Sequence, residues 1–128
     1  MLLYALQRAR VSRLLFVGGG GSLEITPGQR FVDSPQFPQQ YRGEALAQAD
    51  ALDVFRASDG VVKWSYASPP PVHLLEGEKI NTYRVHAGDR PVVDEHGESR
   101  VTVADYASAI VGELERGFFI GERFTVAY

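Results

Sequence analysis

The chain has 128 residues, of which 45% are apolar, enough for one globular domain with a core of its own. Its net charge of −3 comes with scattered rather than clustered Lys and Arg, which gives no electrostatic basis for binding nucleic acid or an anionic membrane. No cysteine is present, so disulfides and thiolate metal sites are excluded and a reducing, cytoplasmic setting is expected.

In chain order, residues 2–10 place Leu2, Leu3, Leu6 and Ala9 on one helical face. This stretch is too short to span a membrane, and it reads as the last turns of a helix that leads into a strand over 13–17. The sequence RLLFVGGGGSL at 13–23 then carries an apolar strand straight into four glycines and a serine. Glycines in that position signal close backbone approach or positive φ. The dinucleotide fingerprint needs glycine at its first, third and sixth places and a helix opening from the turn. Gly18 and Gly20 fill two places, but the sixth is Leu23, Glu24 follows, and Pro27-Gly28 breaks any helix. The Walker phosphate loop fails as well, for want of a Lys-Ser/Thr pair.

Residues 24–41, with Pro27, Pro35 and Pro38 and no period, read as a long functional loop. A helix over 42–57 follows, with Ala45, Leu46, Ala49, Leu52 and Phe55 along one stripe. Val61 to Ala67 is β-branched and aromatic and is stopped by Ser68-Pro69-Pro70-Pro71. With the helix as a right-handed crossover, the strands at 13–17 and 61–67 are expected to be parallel neighbours. Short strands are expected at 79–85 and 90–93, with a turn at Asp94-Glu95-His96-Gly97. Thr102-x-x-Asp105 resembles a capping box for a helix over 103–116 that buries Tyr106, Ile110, Val111 and Leu114. Residues 123–128 alternate like a last strand.

Few side chains suggest chemistry by themselves. His73, His86 and His96 lack the i, i+4 spacing of paired ligands, and Asp94, Glu95 and Glu98 lack calcium-loop spacing, so no metal site is expected. Ser22 has no nucleophile elbow around it. Tyr41, between the long loop and the helix, is placed to donate a proton to a carbonyl under reduction, because a helix N-terminus favours developing phenolate.

Taken together, VGGGGSLE, FVDSPQFPQQY, EALAQADALDVFRAS, VKWSYASPP and SRVTVADYASAIVGELE resemble the C-terminal half of an NAD(P)H-binding atypical short-chain dehydrogenase/reductase. The subgroup resembled is NADH-flavin reductase-like, with NmrA-like and biliverdin/flavin reductase relatives, and the resemblance covers residues 11–128. It implies an α/β fold: the distal part of a Rossmann-like doubly wound parallel sheet, one partial domain over 1–128 without the N-terminal dinucleotide-binding βαβ units. It further implies that Gly20, Ser68, Pro69 and Pro70 lie against the nicotinamide of NAD(P)H and that Ser22 and Tyr41 face the substrate. The implied activity is hydride transfer to a flavin, quinone or similar small-molecule acceptor. The family's Tyr-x-x-x-Lys pair would place lysine at 45, where this chain has Ala45, so classical alcohol dehydrogenation is not expected. With the pyrophosphate-binding turn missing, the chain alone is expected to bind NAD(P)H weakly or not at all, and to expose a sheet edge that favours homo-oligomers. The alternatives are a non-catalytic, nucleotide-sensing NmrA-like regulator and a truncated remnant stable only as an oligomer.

Overall fold

In the computed structural model, which describes residues 2–128, helix α1 (Leu2–Arg8) leads into strand β1 (Arg13–Val17). Leu3 and Leu6 of α1 pack onto the core, as the apolar stripe requires. Helix α2 (Arg42–Arg56) crosses over to strand β4 (Lys63–Ser68), which lies parallel to β1 in register from Arg13↔Lys63 to Val17↔Ala67. Beyond β4 comes strand β8 (Glu122–Ala127), also parallel, and then the antiparallel β6 (Arg84–Ala87). The sheet order is therefore β1-β4-β8-β6, a parallel-rich α/β arrangement. β1 has β4 as its single partner and forms the edge of the sheet.

Both faces of the inner strands are covered, which explains why β4 and β8 are buried almost throughout. Trp64 and Tyr66 pack with Leu52 and Phe55 of α2, while Ala67, Phe124 and Val126 pack with Tyr106 and Ala109 of helix α3 (Val103–Arg116). α3 is capped as expected at its start, where Thr102 Oγ1 accepts from the Asp105 N–H at 3.2 Å, and it ends at Gly117 with φ 66°.

Elsewhere the structure corrects the sequence-based expectations. The 24–41 loop contains a two-stranded ribbon, β2 (Glu24–Thr26) and β3 (Gln29–Arg30), turned at Gly28 with φ 79°, and two 3-10 turns at Phe31–Asp33 and Gln39–Tyr41. The expected strand at 79–85 is realised as β6 alone, from Arg84, and 90–93 forms no strand. Asn81 explains the first difference, since its φ of 65° interrupts an extended run. A parallel pair escaped the pattern entirely: β5 (His73–Leu75) against β7 (Arg100–Thr102), each only three residues long.

Val111 and Leu114, expected to be buried, are half exposed at 52% and 50%. The buried face of α3 is instead Asp105, Tyr106, Ala109, Gly112 and Glu113. Two carboxylates hold core positions there because each gathers loose main-chain donors. Glu113 accepts from Arg13 Nη2 at 3.0 Å, from Ser65 Oγ at 2.8 Å and from the N–H groups of Phe118 and Phe119. Asp105 accepts from the Tyr128 hydroxyl at 2.6 Å and from the N–H groups of Ile80 and Asn81, rather than closing a capping box. Burial pushes the Asp105 carboxyl up, but these three donors outweigh it and hold the group below the usual carboxylate range. Among the described residues no helix is long and apolar enough to cross a membrane.

Two predictions follow from these carboxylates. Glu113→Ala takes from Arg13 its carboxylate partner and leaves the Phe118 and Phe119 N–H groups without their acceptor, and should destabilise the fold by about 3 kcal/mol in urea unfolding. Asp105 has a lowered folded pKa, so its contribution is complete above the unfolded value of about 3.9 and is lost as pH falls through the folded value. The melting-temperature gap between wild type and Asp105→Asn should thus hold steady from about pH 7 to 5 and close in more acid solution. A gap that widened on acidification would refute this account of Asp105.

Candidate active site

β1 stops at Val17, and the next four residues form the turn Gly18–Gly21. None of these glycines has φ in the left-handed region, so what the turn demands is space rather than conformational freedom. A Cβ at Gly18 would fall inside the ring of Tyr66, which is fully buried beneath the turn. The Tyr66 hydroxyl donates to the Gln48 carbonyl of α2 at 2.8 Å, and burial raises the phenol pKa. At Gly20 a Cβ would lie 2.8 Å from the Pro69 carbonyl oxygen and 2.9 Å from Pro71 Cα. Gly21 is backed by Ala45, and its carbonyl accepts from the Val32 N–H at 2.8 Å, which ties the long loop to the turn.

Above this turn, at the carboxyl ends of parallel strands β1 and β4, lies a cleft of about 740 Å³. Gly19–Gly21 form its floor. Pro69–Pro71, Val72 and Leu74 make one wall, Tyr41, Glu44, Ala45 and Gln48 of the α2 side make the other, and Phe31, Phe37 and Pro38 overhang it. The volume and the mostly apolar lining suit a small ligand held by a few polar groups.

Of the residues expected at a site, Gly20, Pro69, Pro70 and Tyr41 line this one cleft. Ser22 and Ser68 do not. Ser22 is buried behind the floor, where its Oγ accepts from Arg123 Nη1 at 2.6 Å and its carbonyl from Arg123 Nη2 at 3.2 Å. Arg123 also donates to Asp89 at 2.9 Å, and Asp89 takes a second cation, Arg56, at 2.6 Å. Burial works against both charged groups, lowering the Arg123 pKa, whereas the two guanidiniums bring Asp89 below its ordinary value. Ser68, the last residue of β4, is fully buried beside Thr125 of β8, and neither hydroxyl has a hydrogen-bond partner.

The three histidines are exposed, and among the described residues no group of three or more His, Cys, Asp or Glu could hold a metal ion. Asp94 instead closes its own turn, its Oδ1 accepting from the N–H groups of His96 and Glu98. Sequence reasoning missed the Arg123–Asp89–Arg56 cluster because its members are 33 to 67 residues apart, with no local motif to join them. It also missed Leu74, whose strand is too short for a readable period, and Gln48, whose place on α2 marked it as an ordinary polar position.

No family model matches the chain. The uncharacterized protein YwnB of Bacillus subtilis (strain 168) is 35% identical over 127 residues, which is 98% of this chain and 59% of that protein. Among solved structures, a candidate NADH-flavin reductase from Streptococcus pneumoniae TIGR4 is 39% identical with a TM-score of 0.79, covering 90% of this chain and 55% of that one. A candidate epimerase from Bacteroides thetaiotaomicron is 34% identical with a TM-score of 0.89, covering 99% and 58%. The chain thus spans somewhat more than half the length of the proteins it matches. By sequence and fold together, the chain is similar to NADH-flavin reductase and epimerase-like Rossmann proteins, and the match is consistent with the C-terminal half of such a protein.

Proposed function

We propose that the cleft is the nicotinamide and acceptor pocket of an NAD(P)H-dependent oxidoreductase, in which a hydride passes to a flavin, quinone or similar planar acceptor. The observation that carries this reading is the floor: consecutive glycines at the carboxyl end of β1, faced by the consecutive prolines that follow the parallel strand β4, project no side chains of their own into the cleft. A planar ring fits such a surface at van der Waals distance. Gly20, Pro69 and Pro70 would hold the nicotinamide face, and Ser68 sets the strand end from which the prolines depart. The lining holds no cation, so the pyrophosphate of a dinucleotide has no oppositely charged side chain to pair with in the cleft.

NAD(P)H, when bound, would supply a hydride, and one proton would complete the two-electron reduction of the acceptor. Tyr41 stands at the mouth, half exposed, where its hydroxyl is available to deliver that proton. Ala45 is buried against Gly21, so a lysine there would have to displace the turn. The chemistry left to this chain is positioning, which suffices for hydride transfer to an electron-poor ring. Ser22 serves it from behind the floor through Arg123, as a positioning residue. The absence of cysteine favours a reducing compartment for such a protein.

A second reading is a non-catalytic nucleotide sensor of the NmrA-like kind, which Ala45 also favours. Turnover of NAD(P)H with a quinone by a longer form of the protein would separate the two. For the 128-residue chain itself, amide chemical-shift mapping with reduced nicotinamide mononucleotide should move Gly19–Gly21, Gln48 and Leu74 together. Shifts confined to other regions, or none, would refute the assignment of the cleft. NADPH should bind this chain with a Kd of about 1 mM or weaker, and saturation at micromolar concentration would show that the pyrophosphate is held after all. The open β1 edge further predicts self-association in sedimentation velocity runs at rising concentration, and a monomer throughout would remove that part of the proposal.

A further inference from the structure

Accepting the cleft as an acceptor pocket, we infer that its acceptor is an uncharged planar ring compound, and that the pocket selects against phosphorylated ones. The inference starts from the charges that face the cleft. Its lining contains a single carboxylate, Glu44, and no Arg, Lys or His. Glu44 sits in the first turn of α2 beside Tyr41 and forms no ion pair among the described residues.

Cations close in space or sequence are committed elsewhere. Arg42 donates to the Val32 carbonyl at 2.6 Å and lies 3.6 Å from Asp33, which also holds Arg30 at 2.9 Å. Arg56 and Arg123 share Asp89 and line a separate cavity of about 150 Å³. His73 is kept out by strand alternation, since Val72 and Leu74 are the residues of that segment that line the cleft. A phosphate entering here would exchange its hydration for prolines and aromatic rings, with one carboxylate repelling it. The same walls favour a neutral ring, stacked on apolar faces, with the Gln48 amide and the Tyr41 hydroxyl left for its heteroatoms.

Riboflavin and FMN provide the test, because they share the ring and side chain and differ in one phosphate. The 128-residue chain is titrated into each at low ionic strength, with flavin fluorescence as the signal. Riboflavin should bind about tenfold more tightly, the effect expected of a phosphate dianion some 10 Å from a carboxylate at intermediate dielectric. Added salt should narrow that ratio. Glu44→Lys should bring it close to one by strengthening FMN, and Glu44→Gln should fall between; Glu44 is solvent-exposed, so neither change disturbs the core. Equal affinities in the wild type, or a ratio unmoved by Glu44→Lys, would overturn the charge selection and leave the acceptor pocket standing. If neither flavin bound, the acceptor pocket itself would fall, and this inference with it.

Discussion

The arrangement depends most on the place of one aromatic ring. Tyr66 occupies the volume into which any side chain at residue 18 would project, so the end of β1 can lie directly on β4 only while residue 18 is glycine. The same ring stacks on Phe16 at 5.4 Å and meets Phe55 of α2 at 6.4 Å, and its hydroxyl is bonded to the Gln48 carbonyl. One side chain thereby fixes a strand end, a helix and the floor of the cleft together. Core packing and site geometry are here one structure, and a change that loosens the first reshapes the second.

On the far face of the sheet the organising contacts are polar. Glu113 and Asp105 stand on α3 at positions that a purely apolar stripe would fill, and each draws in backbone from distant parts of the chain. Glu113 joins β1, β4 and the turn at 118–119, whereas Asp105 joins residues 80–81 to the C-terminal Tyr128. Buried carboxylates in such roles are tolerated because their lone pairs are met by N–H and O–H donors. They also fix which loops meet the helix, something hydrophobic contact alone leaves open.

The main elements were legible because they are long and periodic: β1, α2, β4, α3 and β8 all appear where the residue pattern places them. What sequence reasoning misjudged was set by contacts distant along the chain. The stripe Tyr106, Ile110, Val111, Leu114 follows hydropathy, but the helix turns its Asp105 and Glu113 inward, and Val111 and Leu114 are left outside. β5 and β7 have three residues each and exist through each other, a pairing no local window contains. For the site, the family resemblance pointed to Gly20, Pro69 and Pro70 and the loop–helix junction pointed to Tyr41, and all four line the one cleft. Ser22 was different: a hydroxyl two residues from Gly20 gives no hint that a guanidinium 101 residues later will hold it.

The glycine floor also bears on how such a pocket changes over generations. Any side chain added at Gly18 or Gly20 collides with Tyr66 or with the backbone of Pro69 and Pro71, so the floor cannot be altered one substitution at a time. The walls are under no such restraint, being built from the overhanging loop at 31–41 and from the segment after the prolines. Relatives with new ligand preferences should therefore differ at the rim and keep the base.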